Sequence, residues 1–187
     1  MTDAPFPKLD TAPALDRPEL LGVPVREAVR HLVDDGLVLA EAVLSAPIDA
    51  DASDTARSIE AYDIPPEAAA NCVVVAGKRD GEERVAALVV LASTRADVNG
   101  VAKRLLDVRK CSFMAQPDAV ERTGMEFGGI SPLGLPGGWR VLVDQRVAEA
   151  GPVVIGSGIR ASKVVLDGAL FEGLPTVEVV DDLAAEI

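Results

Sequence analysis

The sequence predicts a single mixed α/β domain with a strongly curved β-sheet and short helices packed outside it. Its 187 residues fit one domain of ordinary size, long enough to bury a real core. Hydrophobic residues make up 49% of the chain but aromatic residues only 3%, so the core is built from valine, leucine, alanine and isoleucine. Valine-rich runs favour strands and alanine favours helices, so both are expected. The short strands alternate irregularly with helices, which predicts a mixed sheet rather than repeated β-α-β units.

The proline-rich start of the chain is separate from this pattern. Residues 1–22 show no helical or strand periodicity, which predicts an extended or frayed arm. We therefore divide the chain into an N-terminal extension, residues 1–23, and one domain, residues 24–187.

Helices are predicted where apolar residues recur at helical spacing behind a proline or a capping side chain. Pro24 opens the first helix and Gly36 closes it, while His31 falls off its apolar face and receives no catalytic role. Ser53 or Asp54 caps the second helix. The predicted helical segments are residues 24–36, 53–62, 97–106, 117–124, 145–150 and 169–172.

Strands are predicted where β-branched and apolar residues run together. The strongest signal is a β-hairpin, because two such runs flank a polar segment that contains Asp80-Gly81. Asp144 ends a later strand, where we expect it to cap the following turn of helix. The predicted strands are residues 37–44, 72–77, 84–92, 111–114, 140–143, 153–155, 163–166 and 176–180.

Charge and cysteine content restrict the function classes. A net charge of −12 argues against a protein that binds nucleic acid with its whole surface, although one basic patch remains compatible with it. Cys72 and Cys111 fit half-buried strand thiols rather than a disulfide framework or a metal site. The chain shows no signal-peptide pattern and no apolar run that could span a bilayer, so we expect a reduced, cytoplasmic protein without membrane association.

Glycine and proline are concentrated in the stretch MEFGGISPLGLPGGWRVLVD, residues 125–144. Within it the glycine loop, residues 128–132, could present bare N–H groups to a developing oxyanion or a phosphate. The alternative is that these residues are only turns between a helix and a strand. The stretch matches neither a P-loop nor a dinucleotide-binding turn. A second bend, GSG at residues 156–158, follows a strand and could line the same pocket.

Together, the order TGMEFGGISPLGLP, then VLVD, then VVIGSGIR resembles the YbaK/ProX family of aminoacyl-tRNA editing domains, which is related to the editing domain of bacterial prolyl-tRNA synthetases. The resemblance covers roughly residues 53–180. It implies a single α/β domain with a mixed, barrel-like sheet. It also implies hydrolysis of the ester that joins a wrong amino acid to tRNA, with no cofactor and no metal.

The resemblance also implies which residues form the site. The glycine-loop amides would bind the ester carbonyl and its transition state, with Gly128, Gly129, Ile130 and Ser131 as the catalytic set. The substrate-binding set would be Asn71, Pro132, Gly156, Ser157 and Gly158. On this basis a Gly129→Ala variant is expected to fold nearly normally and to lose most activity.

One position departs from the family. A lysine usually stands at the start of the hairpin's first strand, where this chain has Asn71, which brings no charge. The departure implies either an altered substrate choice or lost activity, with Lys78 and Lys110 as candidates for a replacement cation.

Basic residues at the hairpin turn and in and just after the helix predicted over residues 97–106 are candidates for tRNA binding. That they only form a solvated surface is an equal alternative. The candidates are Lys78, Lys103, Arg104, Arg109 and Lys110. The leading hypothesis is a free-standing deacylase that hydrolyses a small mischarged amino acid from tRNA, as a monomer or a homodimer. The alternatives are a non-catalytic binding domain and a hydrolase of other small acyl compounds.

Overall fold

A computed structural model describes residues 5–187 of the chain. The strands are β1 (Ala12–Pro13), β2 (Val43–Pro47), β3 (Ala70–Arg79), β4 (Glu82–Leu91), β5 (Thr94–Ala96), β6 (Cys111–Phe113), β7 (Arg140–Asp144), β8 (Pro152–Gly156), β9 (Ser162–Asp167), β10 (Val177–Val180) and β11 (Ala184–Glu186). The helices are α1 (Val23–Asp34), α2 (Thr55–Tyr62), α3 (Lys103–Leu106), α4 (Gln116–Thr123) and α5 (Gln145–Glu149).

The strands form two main sheets and one small one. The five-stranded sheet has the order β10-β7-β4-β3-β6, in which β7 runs parallel to both of its neighbours and the other pairs are antiparallel. The four-stranded sheet, β1-β2-β9-β8, is antiparallel throughout, and β11 pairs with β5. A single parallel bridge between Ala69 and Val154 joins the two main sheets. The predicted mixed α/β domain is therefore confirmed, but within residues 5–187 the sheets do not close into a barrel.

The strongest local predictions are confirmed. The β3–β4 hairpin turns at Asp80 and Gly81, which have φ angles of 53° and 90°, as a two-residue turn with two left-handed positions requires. Asp54 caps α2 by accepting a hydrogen bond from the Arg57 amide at 3.0 Å. Asp144 caps α5 in the same way.

Two predictions about the N-terminal half are wrong. Residues 5–22 are not a frayed arm, because Phe6 and Leu9 are buried against the four-stranded sheet. Residues 1–4 of the predicted arm lie outside the described residues. The predicted strand over residues 37–44 starts only at Val43, because Leu37 and Leu39 are exposed and pair with no strand, whereas Val43 faces Leu166 of β9.

The main core lies where α1 meets both sheets. Val25 and Val29 of α1 pack in one cluster with Val143 of β7 and Ile155 of β8. This packing brings the segments that precede β7 and follow β8, which are the glycine loop and the GSG bend, to one end of the domain.

Candidate functional site

A small cavity of about 210 Å³ lies between the start of α2, the start of β3, the glycine loop and the paired strands β8 and β9. Pockets for drug-sized ligands usually exceed about 300 Å³, so this one suits a group of amino-acid size. Its lining residues are Ser53, Asp54, Thr55, Ala70, Asn71, Cys72, Phe127, Gly128, Ile130, Gly156 and Lys163.

The glycine loop is locked against the GSG bend by backbone contacts. The Gly129 carbonyl accepts a hydrogen bond from the Gly158 amide at 2.7 Å, and the Glu126 amide donates to the Gly158 carbonyl at 3.0 Å. A Cβ atom on Gly129 would lie 2.5 Å from the backbone oxygen of Ile159. The expectation that Gly129→Ala folds nearly normally is therefore wrong, because the methyl group would collide with backbone rather than with substrate.

Two of the four amides assigned to catalysis have no partner among the residues that the structure describes. The Gly129 amide donates to the Glu126 carbonyl at 2.9 Å, and the Ser131 amide contacts the Met125 sulfur at 3.2 Å. Among residues 5–187, no carbonyl or side chain accepts a hydrogen bond from the amide of Gly128 or of Ile130, and both residues line the cavity. Gly128 has a φ angle of 82°, which favours glycine at this position.

Four other predicted site residues lie outside the lining of this cavity. The Ser131 hydroxyl accepts a hydrogen bond from the Leu133 amide, and the buried Ser157 hydroxyl lies 2.7 Å from that of Ser162. Gly158 packs against Gly22, and Pro132 lines a different cavity, under α1. Asn71, Gly128, Ile130 and Gly156 are thus the predicted residues that the structure brings together at the cavity.

Asn71 reaches the cavity from the first strand of the hairpin. Its side-chain oxygen accepts a hydrogen bond from the Thr55 hydroxyl. Its amide nitrogen has no partner within the described part of the chain, so it remains available to a carbonyl or phosphate oxygen.

Cys72, the next residue of β3, also lines the cavity. Burial raises the pKa of its thiol to about 12, so the group is protonated at neutral pH. Since the thiolate is the nucleophilic form, Cys72 is not suited to nucleophilic attack.

Lys163 is the site residue that sequence reasoning missed. It lies near the start of β9 and is buried, and its ammonium donates a hydrogen bond to the Ser53 carbonyl at 2.7 Å. Burial lowers the pKa of Lys163 to about 8, against the attraction of Asp54 and with a smaller repulsion from Arg160. The available signal was a single charge at the start of the apolar run KVVL, which follows the GSG bend after the four residues IRAS.

The predicted tRNA-binding residues lie away from this cavity. Lys78, Arg109 and Lys110 line a separate, shallow cavity of about 340 Å³, and Arg109 pairs with Asp80 at 3.7 Å. Lys103 and Arg104, on α3, are not part of that lining.

Along β3, Lys78 is seven residues from Asn71, which corresponds to about 23 Å of strand. Neither Lys78 nor Lys110 is among the residues that line the Asn71 cavity, where the lysine present is Lys163.

Two general properties concern all the residues that the structure describes. Within residues 5–187, no three histidine, cysteine or acidic side chains gather in a way that could hold a metal ion. None of the helices in the same residues has the length and apolar character needed to cross a membrane.

Comparison with solved structures supports the fold. A hypothetical protein of known crystal structure superimposes with a TM-score of 0.69 at 20% identity, covering 84% of this chain and 99% of that one. A candidate trans-editing enzyme for prolyl-tRNA synthetase gives a TM-score of 0.67 at 17% identity, covering 86% and 98%. A candidate signal transduction protein from Marinobacter aquaeolei VT8 gives 0.55 at 19% identity, over 89% of this chain but 31% of that one.

The sequence comparison identifies the family. No protein of curated function matches the sequence. The family described as aminoacyl-tRNA editing domain matches residues 49–173, a range that includes the complete cavity lining. Because this match covers well over half of the chain, the protein belongs to the aminoacyl-tRNA editing domain family.

Proposed function

We propose that this protein hydrolyses the ester bond that joins a small, wrongly attached amino acid to tRNA. The observation that carries the proposal is the cavity itself, whose lining residues Gly128, Ile130 and Asn71 have a backbone or side-chain amide without an acceptor among residues 5–187. Membership of the editing family and the small volume of the cavity support the same substrate class.

The chemistry requires few protein groups because an aminoacyl ester is already reactive. A water oxygen attacks the ester carbonyl carbon, and negative charge develops on the carbonyl oxygen. The bond between that carbon and the ribose oxygen then breaks, and the ribose oxygen takes up the proton that the water gives up. The Gly128 and Ile130 amides stabilise the developing oxyanion, and one such donor typically contributes about 100- to 1,000-fold in turnover.

The rim of the cavity offers a surface for the terminal base. Phe127 lines the cavity although its side chain is 52% exposed. The Arg160 guanidinium holds the backbone at this point, donating to the Phe127 carbonyl at 3.1 Å and to the Ala50 carbonyl at 2.9 Å. Unpaired bases in RNA commonly stack on such aromatic side chains, so we assign Phe127 to the terminal adenine.

The body of the tRNA would dock at the basic residues beyond the hairpin. Lys78, Arg109 and Lys110 lie together at the far end of β3 from Asn71, and we assign Lys103 and Arg104, on α3, to the same docking surface. A docking surface about 23 Å from the cavity fits a substrate that is much longer than its reacting end. A local basic surface also reconciles tRNA binding with a net charge of −12.

The test is release of radiolabelled amino acid from a panel of correctly charged and mischarged tRNAs. We expect the wild-type protein to deacylate one or a few small mischarged amino acids, and Asn71→Ala to reduce this activity. The control is Asn99→Ala, because Asn99 is exposed and lies outside the cavity.

Two outcomes would contradict the proposal. Binding of tRNA without release of any amino acid would favour a non-catalytic binding domain. Equal activity on aminoacyl esters that lack tRNA would favour a hydrolase of small acyl compounds.

A further inference from the structure

Lys163 is buried at the cavity, and among residues 5–187 the carboxylate that attracts its charge, that of Asp54, forms no ion pair with it. Lys163 is 7% exposed, and beyond the hydrogen bond to the Ser53 carbonyl, two of its three N–H groups find no acceptor in the part of the chain that the structure describes. None of the ion pairs among residues 5–187 includes it. Burying a charge that no ion pair neutralises is costly, whereas an apolar side chain would continue the valine and leucine run of β9. The arrangement suits a ligand that brings negative charge.

The strand pairing directs this side chain toward the glycine loop. Lys163 stands directly opposite Gly156 in the β8–β9 ladder, and opposed residues of an antiparallel pair project to the same face. On that face a Cβ atom at Gly156 would collide with the carbonyl oxygen of Ile130. The Lys163 side chain therefore leaves the sheet on the side where Ile130 lies.

One atom of the ligand could accept hydrogen bonds from all the donors around the cavity. Gly128 and Ile130 line the cavity from the loop, and Lys163 lines it from β9. The ester carbonyl oxygen is common to every aminoacyl-tRNA and becomes an anion in the transition state. Because Lys163 is buried, its attraction for such a developing charge is screened less than that of an exposed lysine.

We propose that Lys163 is a catalytic residue of this hydrolysis, whose ammonium donates a hydrogen bond to the ester carbonyl oxygen and stabilises the oxyanion that forms there. The proposal rests on the proposed function. Water still supplies the attacking oxygen and the ribose oxygen still receives the proton, so Lys163 keeps its own protons throughout the reaction.

The test compares single-turnover deacylation by the wild type with that by Lys163→Met. We expect a loss of about 100-fold or more in the rate constant for every amino acid that the wild type hydrolyses. Affinity for a non-hydrolysable analogue, in which an amide replaces the ester, should change far less. The matched control is Lys8→Met, which removes an exposed lysine that pairs with Asp63 outside the cavity. Lys163→Gln provides a second, neutral variant if Lys163→Met does not fold.

The outcomes separate this inference from the proposed function. An inactive wild-type protein would overturn both. An active wild type together with fully active Lys163→Met or Lys163→Gln would overturn only the role of Lys163. A loss confined to substrates with an acidic side chain would assign Lys163 to side-chain selection instead and would also overturn the proposal.

The pH dependence supplies a second readout. The charged groups that face Lys163 are Asp54 at the start of α2 and Arg160 after the GSG bend, while the Cys72 thiol across the cavity stays neutral. After subtraction of spontaneous hydrolysis, the wild-type rate should fall as the pH rises through about 8. The Lys163→Met profile should lack this fall, and a fall of the same size in the variant would contradict the proposal.

Discussion

Replacing Lys163 by methionine should change how the stability of the protein depends on pH. The folded protein holds the pKa of Lys163 at about 8, below its ordinary value of 10.5. Between these two values the unfolded chain binds more protons at this position than the folded protein does. The free energy of unfolding of the wild type must therefore rise with pH across this window.

The size of the effect follows from the two pKa values. Integrating the proton-binding difference from pH 7 to pH 10 gives about 2.5 kcal/mol in favour of the wild type. The variant lacks this contribution. The difference in the free energy of unfolding, wild type minus variant, should therefore rise by about that amount between pH 7 and pH 10. The Cys72 thiol, whose pKa is raised by burial, destabilises both proteins at alkaline pH and cancels in the difference.

The assay is urea unfolding followed by circular dichroism at pH 7, 8, 9 and 10 under reducing conditions. Lys8→Met serves as the control, because the Lys8 side chain is 53% exposed and pairs with Asp63 outside the cavity. A wild-type minus Lys163→Met difference that stays constant within about 0.5 kcal/mol would refute the reasoning, because it would mean that Lys163 titrates as an ordinary exposed lysine.

Three further predictions address the loop, the rim and the docking surface. Gly129→Ala should lower the free energy of unfolding by about 1–3 kcal/mol, while Gly137→Ala, which meets no atom within 4 Å, should change it by less than about 1 kcal/mol in thermal or urea unfolding. Phe127→Leu should weaken tRNA binding by about 1–3 kcal/mol in a filter-binding assay, whereas Phe127→Tyr should bind nearly as well as the wild type. If Phe127→Leu and the wild type bind tRNA with equal affinity, Phe127 does not stack on the terminal base. Lys110→Glu should lower tRNA affinity and reduce the slope of log affinity against log salt by about 1, without a change in unfolding. A slope unaffected by the substitution would place the tRNA elsewhere.

The parts of the fold that the sequence predicted are those with local causes. The hairpin turn needs two left-handed residues, which Asp80-Gly81 supplies, and the caps of α2 and α5 need one short acidic side chain each. The prediction of a strand over residues 37–44 was wrong for the residues before Val43, because apolar composition does not show which residues have a partner strand. The strand that pairs with residues 43–47, β9, is more than 100 residues away in the sequence.

The cavity was predictable only in part for the same reason. Its loop and its hairpin strand were identified from residues 128–132 and Asn71, but the contact between Lys163 and the Ser53 carbonyl joins residues that are 110 positions apart. No local pattern reports such a contact. The expectation for Gly129 failed differently, because a glycine that permits close approach of a ligand and one that permits close approach of backbone look identical in sequence.

The segment before α1 explains how such a cavity can keep its shape without substrate. The Gly22 amide donates to the Ser157 carbonyl at 2.8 Å, and a Cβ atom on Gly22 would lie 2.9 Å from the Cα atom of Gly158. The GSG bend is thus held on one side by the glycine loop and on the other by a segment that precedes the family match at residue 49. Donors that are fixed before the reaction do not need to reorganise during it. Backbone packing on both sides of the bend therefore contributes to the proposed catalysis, although Gly22 itself is not part of the cavity lining.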